Sequence, residues 1–120
     1  MSYKKQLHVP KVFIPNKSFH DFEGARRYGE LVYLTEGKIQ HGYHPNQMAR
    51  ECAEKMADAA AGDYLLLSEP TSINCIATAI MVWRFGKVNF LVYDSNVDQY
   101  FTRTLSLKTF YDKETADERL

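Results

Sequence analysis

Residues 63–93 read DYLLLSEPTSINCIATAIMVWRFGKVNFLVY and predict a β-α-β unit. The apolar run 63–68 has strand length, and the apolar segment 73–85, which ends at Gly86, has helix length. A second strand-like run follows at 87–93. Strands that are apolar along their whole length are typical of sheets covered on both faces. Because β-α-β crossovers make consecutive strands parallel, this stretch predicts an α/β sheet.

Toward the N-terminus, two further elements are predicted. Residues 30–35 form another apolar run between Gly29 and Gly37, which predicts a central strand. Residues 44–60 predict an amphipathic helix ended by Gly62, since apolar side chains recur at helical spacing at Met48, Cys52 and Met56.

The two ends of the chain complete the predicted fold. Residues 11–15 predict an opening strand at a sheet edge, because Pro15 ends the run, and 22–28 predict a short helix. The turn at 94–96 predicts that 100–107 returns as an antiparallel partner.

These elements predict a small single-domain α/β sheet with mainly parallel core strands, crossover helices and a C-terminal antiparallel hairpin. A length of 120 residues suits one domain. Residues 1–10 and 112–120 are predicted to be mobile ends.

Composition excludes several classes of function. Fifteen basic and fifteen acidic side chains give a net charge of zero, which disfavours binding to nucleic acid. The longest apolar segment, 73–85, is shorter than the roughly 20 residues needed to cross a membrane. Cys52 and Cys75 lie in apolar helical patterns and are predicted to be buried free thiols. With a polar start and no signal peptide, the expected location is the cytoplasm.

A ligand site is expected in the loops that follow the parallel strands, because ligands of open α/β sheets bind there. Hydroxyl side chains before the helix at 73–85 could place an anion or a nucleotide at its positive N-terminus. The favoured interpretation is that Thr71 or Ser72 only caps this helix, which needs no ligand. Glycine-rich phosphate loops are absent from the sequence. The candidate ligand-binding residues are Thr35, Glu36, Lys38, Ser68, Thr71, Ser72, Asn74 and Asp94.

Other reactive residue types give weaker patterns. Glu36 and Glu69, if their strands are neighbours, could form an acid–base pair, but solvated loop charges are the favoured interpretation. His41 and His44 lie in a loop without a specified third ligand. Asn74 is expected to cross-link loops, and Cys75 has no base assigned to it. We therefore predict no catalytic residue, no metal site and no cofactor.

The helix at 73–85 also predicts an interface. Its apolar side chains cover nearly the whole circumference, so that part of its surface must be covered by another subunit or by a neighbouring helix. The candidate interface residues are Ile76, Ile80, Trp83 and Phe85. The expected partner is a second copy of the chain, as a dimer or higher oligomer, or another protein.

The runs at 29–37, 63–68 and 85–93 resemble those of small uncharacterised α/β proteins encoded by tailed phages. The resemblance implies a virion component or a host-directed accessory factor, and it implies no activity or site residue. The leading hypothesis is a non-enzymatic, self-associating protein that acts through protein–protein contacts. The alternative is a small-ligand domain.

Overall fold

The computed structural model describes residues 8–17, 20–37 and 44–107. It contains a five-stranded sheet with helices between its strands, which confirms the predicted α/β class. No helix in these ranges is long and apolar enough to cross a membrane. In chain order the elements are β1 (Lys11–Lys17), a 3₁₀ helix (Glu23–Tyr28), β2 (Glu30–Glu36), α1 (Pro45–Lys55), β3 (Tyr64–Leu66), α2 (Thr71–Phe85), β4 (Lys87–Asp94) and β5 (Gln99–Ser106).

The strand order across the sheet is β2-β1-β3-β4-β5. The first four strands are mutually parallel, and β5 pairs antiparallel with β4 from Lys87↔Ser106 to Asp94↔Gln99, which confirms the predicted hairpin. The chain moves outward from β1 to β2 and then returns across β1 to β3. The direction of winding therefore reverses between β1 and β3, the point at which such sheets bind ligands.

Two strand positions differ from the prediction. β1 lies inside the sheet rather than at its edge, and β2 forms the edge rather than the centre. β2 is apolar because both of its faces are covered, not because it has a strand on each side. Leu34 packs on one face of the sheet, and Tyr33 packs on the other. Pro15 is tolerated in β1 because the short β3 pairs only with Val12 and Phe13, so the chain at Pro15 has a strand on one side only.

Two hydrophobic cores cover the two faces of the sheet. Helices α1 and α2 pack on one face, where Phe13, Leu65 and Val88 are fully buried. The 3₁₀ helix packs on the other face, against Ile14 and Leu66. The connection from β1 to β2 runs across the sheet in one direction, and the connections from β2 to β3 and from β3 to β4 run in the other. Because each crossover is right-handed, the reversal places the 3₁₀ helix on one face and α1 and α2 on the opposite face.

Helix α1 ends at Lys55, earlier than the predicted stop at Gly62. The carbonyl of Met56 accepts a hydrogen bond of 2.7 Å from the guanidinium of Arg84 on α2, and the carbonyls of Ala57 and Ala59 lie 3.4 and 3.5 Å from the same group. An arginine on the next helix thus satisfies carbonyls that a longer α1 would have used internally.

Asp63 is fully buried just before β3. Its carboxylate accepts hydrogen bonds from the backbone N–H of Lys11 at 3.1 Å and of Ala60 at 2.9 Å. It also lies 2.9 Å from His8 Nε2. This side chain therefore joins the start of β1 to the connection between α1 and β3.

The two cysteines have different environments. Cys52 lies on the buried side of α1, as predicted, and burial raises the pKa of its thiol to about 11. Cys75 is exposed, and the prediction that it is buried is wrong. On α2 the sheet-facing positions are Ile73, Ala77 and Met81, and Cys75 lies on the opposite side of the helix.

Candidate functional site

A cleft of about 860 Å³ lies at the carboxyl edge of the sheet, between the 3₁₀ helix and the β4–β5 hairpin. We call it the switch-point cleft, because the residues that follow β1 and β3 form part of its wall. Its charged side chains are Asp21, Glu69, Asp98 and Arg27, its aromatic rings are Phe22, Tyr93 and Tyr100, and Ser68 lies among them.

The shortness of β3 produces this cleft. β3 ends at Leu66, opposite Leu91, and the chain then turns away after the N–H of Leu67 donates to the carbonyl of Leu91 at 3.0 Å. β1 and β4 continue beyond that level, to Lys17 and Asp94. The gap between their ends is the opening of the switch-point cleft.

The walls of the cleft are tied to the fold by local contacts. The Tyr28 hydroxyl donates to the Tyr100 carbonyl at 3.2 Å, which fixes the 3₁₀ helix against β5. Asp21 Oδ1 accepts the N–H of Glu23 at 2.9 Å, at the start of the 3₁₀ helix. Gly24 allows close packing here, since a Cβ at this position would lie 3.4 Å from the Tyr100 ring.

The carboxylates outnumber the cations in the cleft, and two tyrosines respond to them. The Tyr93 hydroxyl donates to Asp98, and this hydrogen bond raises the pKa of Tyr93. Burial raises the pKa of Tyr100, and the charges of Asp21 and Asp98 raise it further. Both phenols therefore experience a negative electrostatic potential.

Ser68 is the predicted ligand residue that lies in the cleft. Its Oγ is buried and has no hydrogen-bond partner among the described residues. Its carbonyl accepts a hydrogen bond from the Asn74 side-chain amide, which also lies 3.4 Å from the Pro70 carbonyl. Asn74 thus fastens the β3–α2 connection, including the cis Glu69–Pro70 peptide, to the first turn of α2.

The other predicted ligand residues lie elsewhere. Thr35 donates to the Pro15 carbonyl at 2.7 Å, at the far edge of the sheet, and Asp94 accepts the N–H of Asn96 in the β4–β5 turn. Thr71 and Ser72 begin α2, but no side chain caps this helix, so the predicted hydroxyl cap is absent. Lys38 falls outside the described residues.

The suggested Glu36–Glu69 pair assumed that β2 and β3 are neighbours. β1 lies between these strands, so the assumption is wrong. His44 is exposed at the start of α1, and its predicted companion His41 lies outside the described residues. Within 8–17, 20–37 and 44–107, no three His, Cys, Asp or Glu side chains are grouped so as to hold a metal ion.

Sequence reasoning missed most of the cleft residues. Asp21 precedes the 3₁₀ helix and Arg27 lies in its last turn, while Asp98 ends the β4–β5 turn and Tyr100 lies in β5; none of them is in the loops predicted to bind a ligand. A usable signal was the grouping of two tyrosines and two aspartates between Tyr93 and Tyr100, around that turn. The structure marks Asp98 in another way, because this residue has φ 52°, a backbone conformation that the sequence does not reveal.

A second surface lies on the outer side of α2. A groove of about 460 Å³, which we call the α2 groove, separates this helix from β4 and β5; its lining includes Cys75, Ala79, Val82, Phe90, Leu105 and Leu107. Trp83, one position beyond Val82, is 88% exposed. Of the other predicted interface residues, Ile76, Ile80 and Phe85 are half-buried and pack against the core.

Comparison with known proteins places the chain in a phage family. No curated protein and no solved structure matches it. The family model described as "Phage Pam3 gp32-like protein" matches residues 10–107, which include all five strands, the switch-point cleft and the α2 groove. This match covers most of the 120 residues and confirms the resemblance to phage proteins. The chain belongs to the Phage Pam3 gp32-like protein family.

Proposed function

We propose that this member of a phage protein family is a non-enzymatic protein that works through protein–protein contacts, and that its first partner is a second copy of itself. The observation that carries the proposal is an exposed Trp83 on the same helix that forms the α2 groove, next in sequence to Val82 and four residues from Ala79, which both line it. Such a protein would act in the bacterial host cytoplasm or in the virion, as an accessory or structural component.

The α2 surface has the composition of an interface core. No charged side chain lines the α2 groove, and Asn74 and Thr78 are its polar members. Interface cores are depleted in charged residues and enriched in aromatic ones. An exposed tryptophan beside an apolar groove is therefore better explained by a partner than by solvent.

A second copy fits this surface because the surface is self-complementary. In a two-fold pair, each α2 lies against the other α2 in the opposite direction, and Trp83 of one copy faces the α2 groove of its partner. Small side chains at Cys75 and Ala79, four residues apart, let the helices approach closely. A net charge of zero removes long-range repulsion between copies.

The size of the groove agrees with this occupant. An aromatic side chain buries about 150–250 Å² and often supplies most of the energy of a contact. A groove of about 460 Å³ has room for an indole ring. Both Trp83 side chains would be buried in one isologous interface.

The test is the oligomeric state of Trp83→Ala. We expect the wild-type protein to be a dimer or higher oligomer at micromolar concentration in light scattering coupled to size exclusion. Because interface tryptophans typically contribute about 2 kcal/mol or more, Trp83→Ala should weaken association by roughly 30-fold or more.

Val97→Ala is the matched control, since Val97 is also an exposed apolar side chain but lies in the β4–β5 turn. This variant should associate like the wild type. Trp83 is the single tryptophan of the chain, so its fluorescence should shift to shorter wavelength as the protein is concentrated. A monomeric wild type, or equal association of Trp83→Ala, would contradict the proposal.

A further inference from the structure

The switch-point cleft has a suitable position and size for a small molecule, independently of the α2 groove. It lies where the winding of the sheet reverses, at the carboxyl ends of the parallel strands. Small-molecule sites enclose roughly 300–1,000 Å³, and this cleft encloses about 860 Å³.

The charges of the cleft favour a cation. Asp21, Glu69 and Asp98 supply three carboxylates to the lining, against the guanidinium of Arg27 and the imidazole of His20. A concave surface with an excess of one sign concentrates its field inside and attracts the opposite charge. The raised pKa values of Tyr93 and Tyr100 are consistent with this negative potential.

The same geometry opposes the anion expected at the start of α2. The N–H groups of Ile73 and Asn74 donate to the Pro70 carbonyl, and the remaining N-terminal donors of α2, those of Thr71 and Ser72, belong to residues that do not line the cleft. Glu69 stands directly before this turn, and an anion there would meet its negative charge.

Aromatic rings supply the apolar part of the site. The Tyr93 and Tyr100 rings lie 5.2 Å apart at an interplanar angle of 56°, and Phe22 closes the opposite side. Faces of aromatic rings attract ammonium groups, and their edges cover hydrocarbon. Rings next to carboxylates are the combination that recognises organic cations.

Ser68 provides a directional contact. Its buried Oγ has no partner in the described part of the chain, and a buried hydroxyl in that condition is destabilising. An ammonium group carries donors only, and Oγ can accept from it. A cation in the cleft would therefore meet the carboxylates directly, and rotation of the Ser68 side chain toward the cleft would let the buried Oγ accept from it as well.

We propose that the switch-point cleft binds an organic cation, consisting of an ammonium group attached to an apolar body. The ammonium lies among Asp98, Glu69 and Ser68, and the apolar body lies against Tyr100 and Phe22. Two sources share this chemistry: a free small amine, and a lysine side chain of another protein.

The test is NMR titration of the full chain with ligands that differ in charge alone. Phenethylamine, 2-phenylethanol and phenylacetate share one ring and carry positive, zero and negative charge. We expect phenethylamine to bind at least about tenfold more tightly than the other two, to move the amide signals of Ser68 and Gln99, and to weaken as salt is added. A blocked lysine, N-acetyl-lysine methylamide, is titrated in parallel, and the tighter of the two amines identifies the source.

The charge dependence is checked with isosteric variants. Glu69→Gln should weaken phenethylamine binding by about threefold and the double variant Glu69→Gln/Asp98→Asn by about tenfold, because each exposed charge pair contributes a fraction of a kcal/mol. Glu36→Gln is the matched control, since Glu36 is an exposed glutamate at the carboxyl end of β2, outside the cleft. Its affinity should equal that of the wild type.

Three results would overturn the proposal: phenylacetate or 2-phenylethanol binding as tightly as phenethylamine, signals moving only outside the cleft, or equal affinities for Glu69→Gln and wild type. None of these depends on the oligomeric state, so the cation site and self-association through Trp83 succeed or fail separately.

Discussion

The carboxylate of Asp63 shows how one side chain can organise three segments of the chain. It is fully buried, and it accepts hydrogen bonds from the backbone N–H groups of Lys11 and Ala60 while contacting His8. Buried charges are tolerated when such partners surround them. Asp63 therefore sets the alignment of β1 and β3 at the centre of the sheet.

Removing this carboxylate should be costly. Asp63→Ala leaves the N–H groups of Lys11 and Ala60 without their acceptor, and we expect a loss of about 3–5 kcal/mol in the free energy of unfolding, measured by urea denaturation. Asp58→Ala, at an exposed aspartate in the same connection, should change stability by less than about 0.5 kcal/mol. Similar losses in the two variants would contradict the role given to Asp63.

The sequence could not indicate that Asp63 is buried. An aspartate before an apolar run is ordinarily an exposed turn residue. Its burial depends on Lys11, which lies 52 residues away in the chain and becomes a neighbour only in the folded sheet. The prediction that Cys75 is buried was wrong for a related reason, because an apolar helical pattern does not tell which positions face the sheet.

At the scale of elements, Arg84 couples the two helices. Its guanidinium donates to the Met56 carbonyl at 2.7 Å, just beyond the end of α1, and stacks 4.9 Å from the Phe85 ring on its own helix. The contact holds the 56–60 segment against α2. A cation at the C-terminal end of a helix also interacts favourably with the helix dipole.

Arg84→Ala should therefore destabilise the fold by about 1–2 kcal/mol and increase amide hydrogen exchange in the segment after α1. Arg26→Ala is the control, since Arg26 forms an exposed pair with Glu23 within one helical turn. Its effect should be much smaller because solvent screens that pair. Unchanged exchange after α1 in Arg84→Ala would show that the contact does not hold the segment.

Most elements were predictable because local patterns determine them. Gly86 ends α2 in the left-handed conformation, with φ 76°, as a helix-stopping glycine is expected to do. The end of α1 was not predictable, since Arg84 lies 28 residues from Met56 and acts through tertiary structure. The prediction that β1 is the edge strand and β2 a central one was wrong for the same reason, because the apolarity of a single strand does not determine the strand order.

At the scale of the whole molecule, stability should decrease at alkaline pH. The pKa of the Cys52 thiol is raised from its ordinary value of 9.0 to about 11, mainly by burial, and the pKa values of Tyr93 and Tyr100 are raised as well. A raised pKa means that the unfolded chain ionises first as the pH increases. The free energy of unfolding is then at its full value below pH 9 and falls between about pH 9 and 11.

Urea denaturation from pH 8 to 11 measures this decrease. Cys52→Ala has a different free energy of unfolding at every pH, because it removes a buried side chain. Its decrease with pH should nevertheless be shallower, since only the tyrosines with raised pKa values then contribute to it. Parallel curves for wild type and Cys52→Ala would rule out the contribution of the thiol.

The location of the switch-point cleft was predictable in part. Ligand sites at the carboxyl ends of parallel strands follow from the α/β class, and that expectation led to Ser68. The carboxylates and rings that give the cleft its charge were not predictable, because Asp21 and Tyr100 meet only once β5 has paired with β4 and the 3₁₀ helix has packed beside it. The chemistry of the cleft is therefore a product of topology.

The position of β3 also has a consequence for how the chain folds. β1 is made before β2 and α1, but its inner neighbour β3 is made only after them. Pairings between distant segments form slowly, because the chain must close a long loop before the contacts stabilise it. On the ribosome, β1, the 3₁₀ helix and β2 emerge as a two-stranded parallel unit with two unpaired edges, and α2 follows before its own sheet surface is complete. A nascent chain halted before residue 64 should thus remain sensitive to protease, and protection should begin abruptly once β4 has emerged.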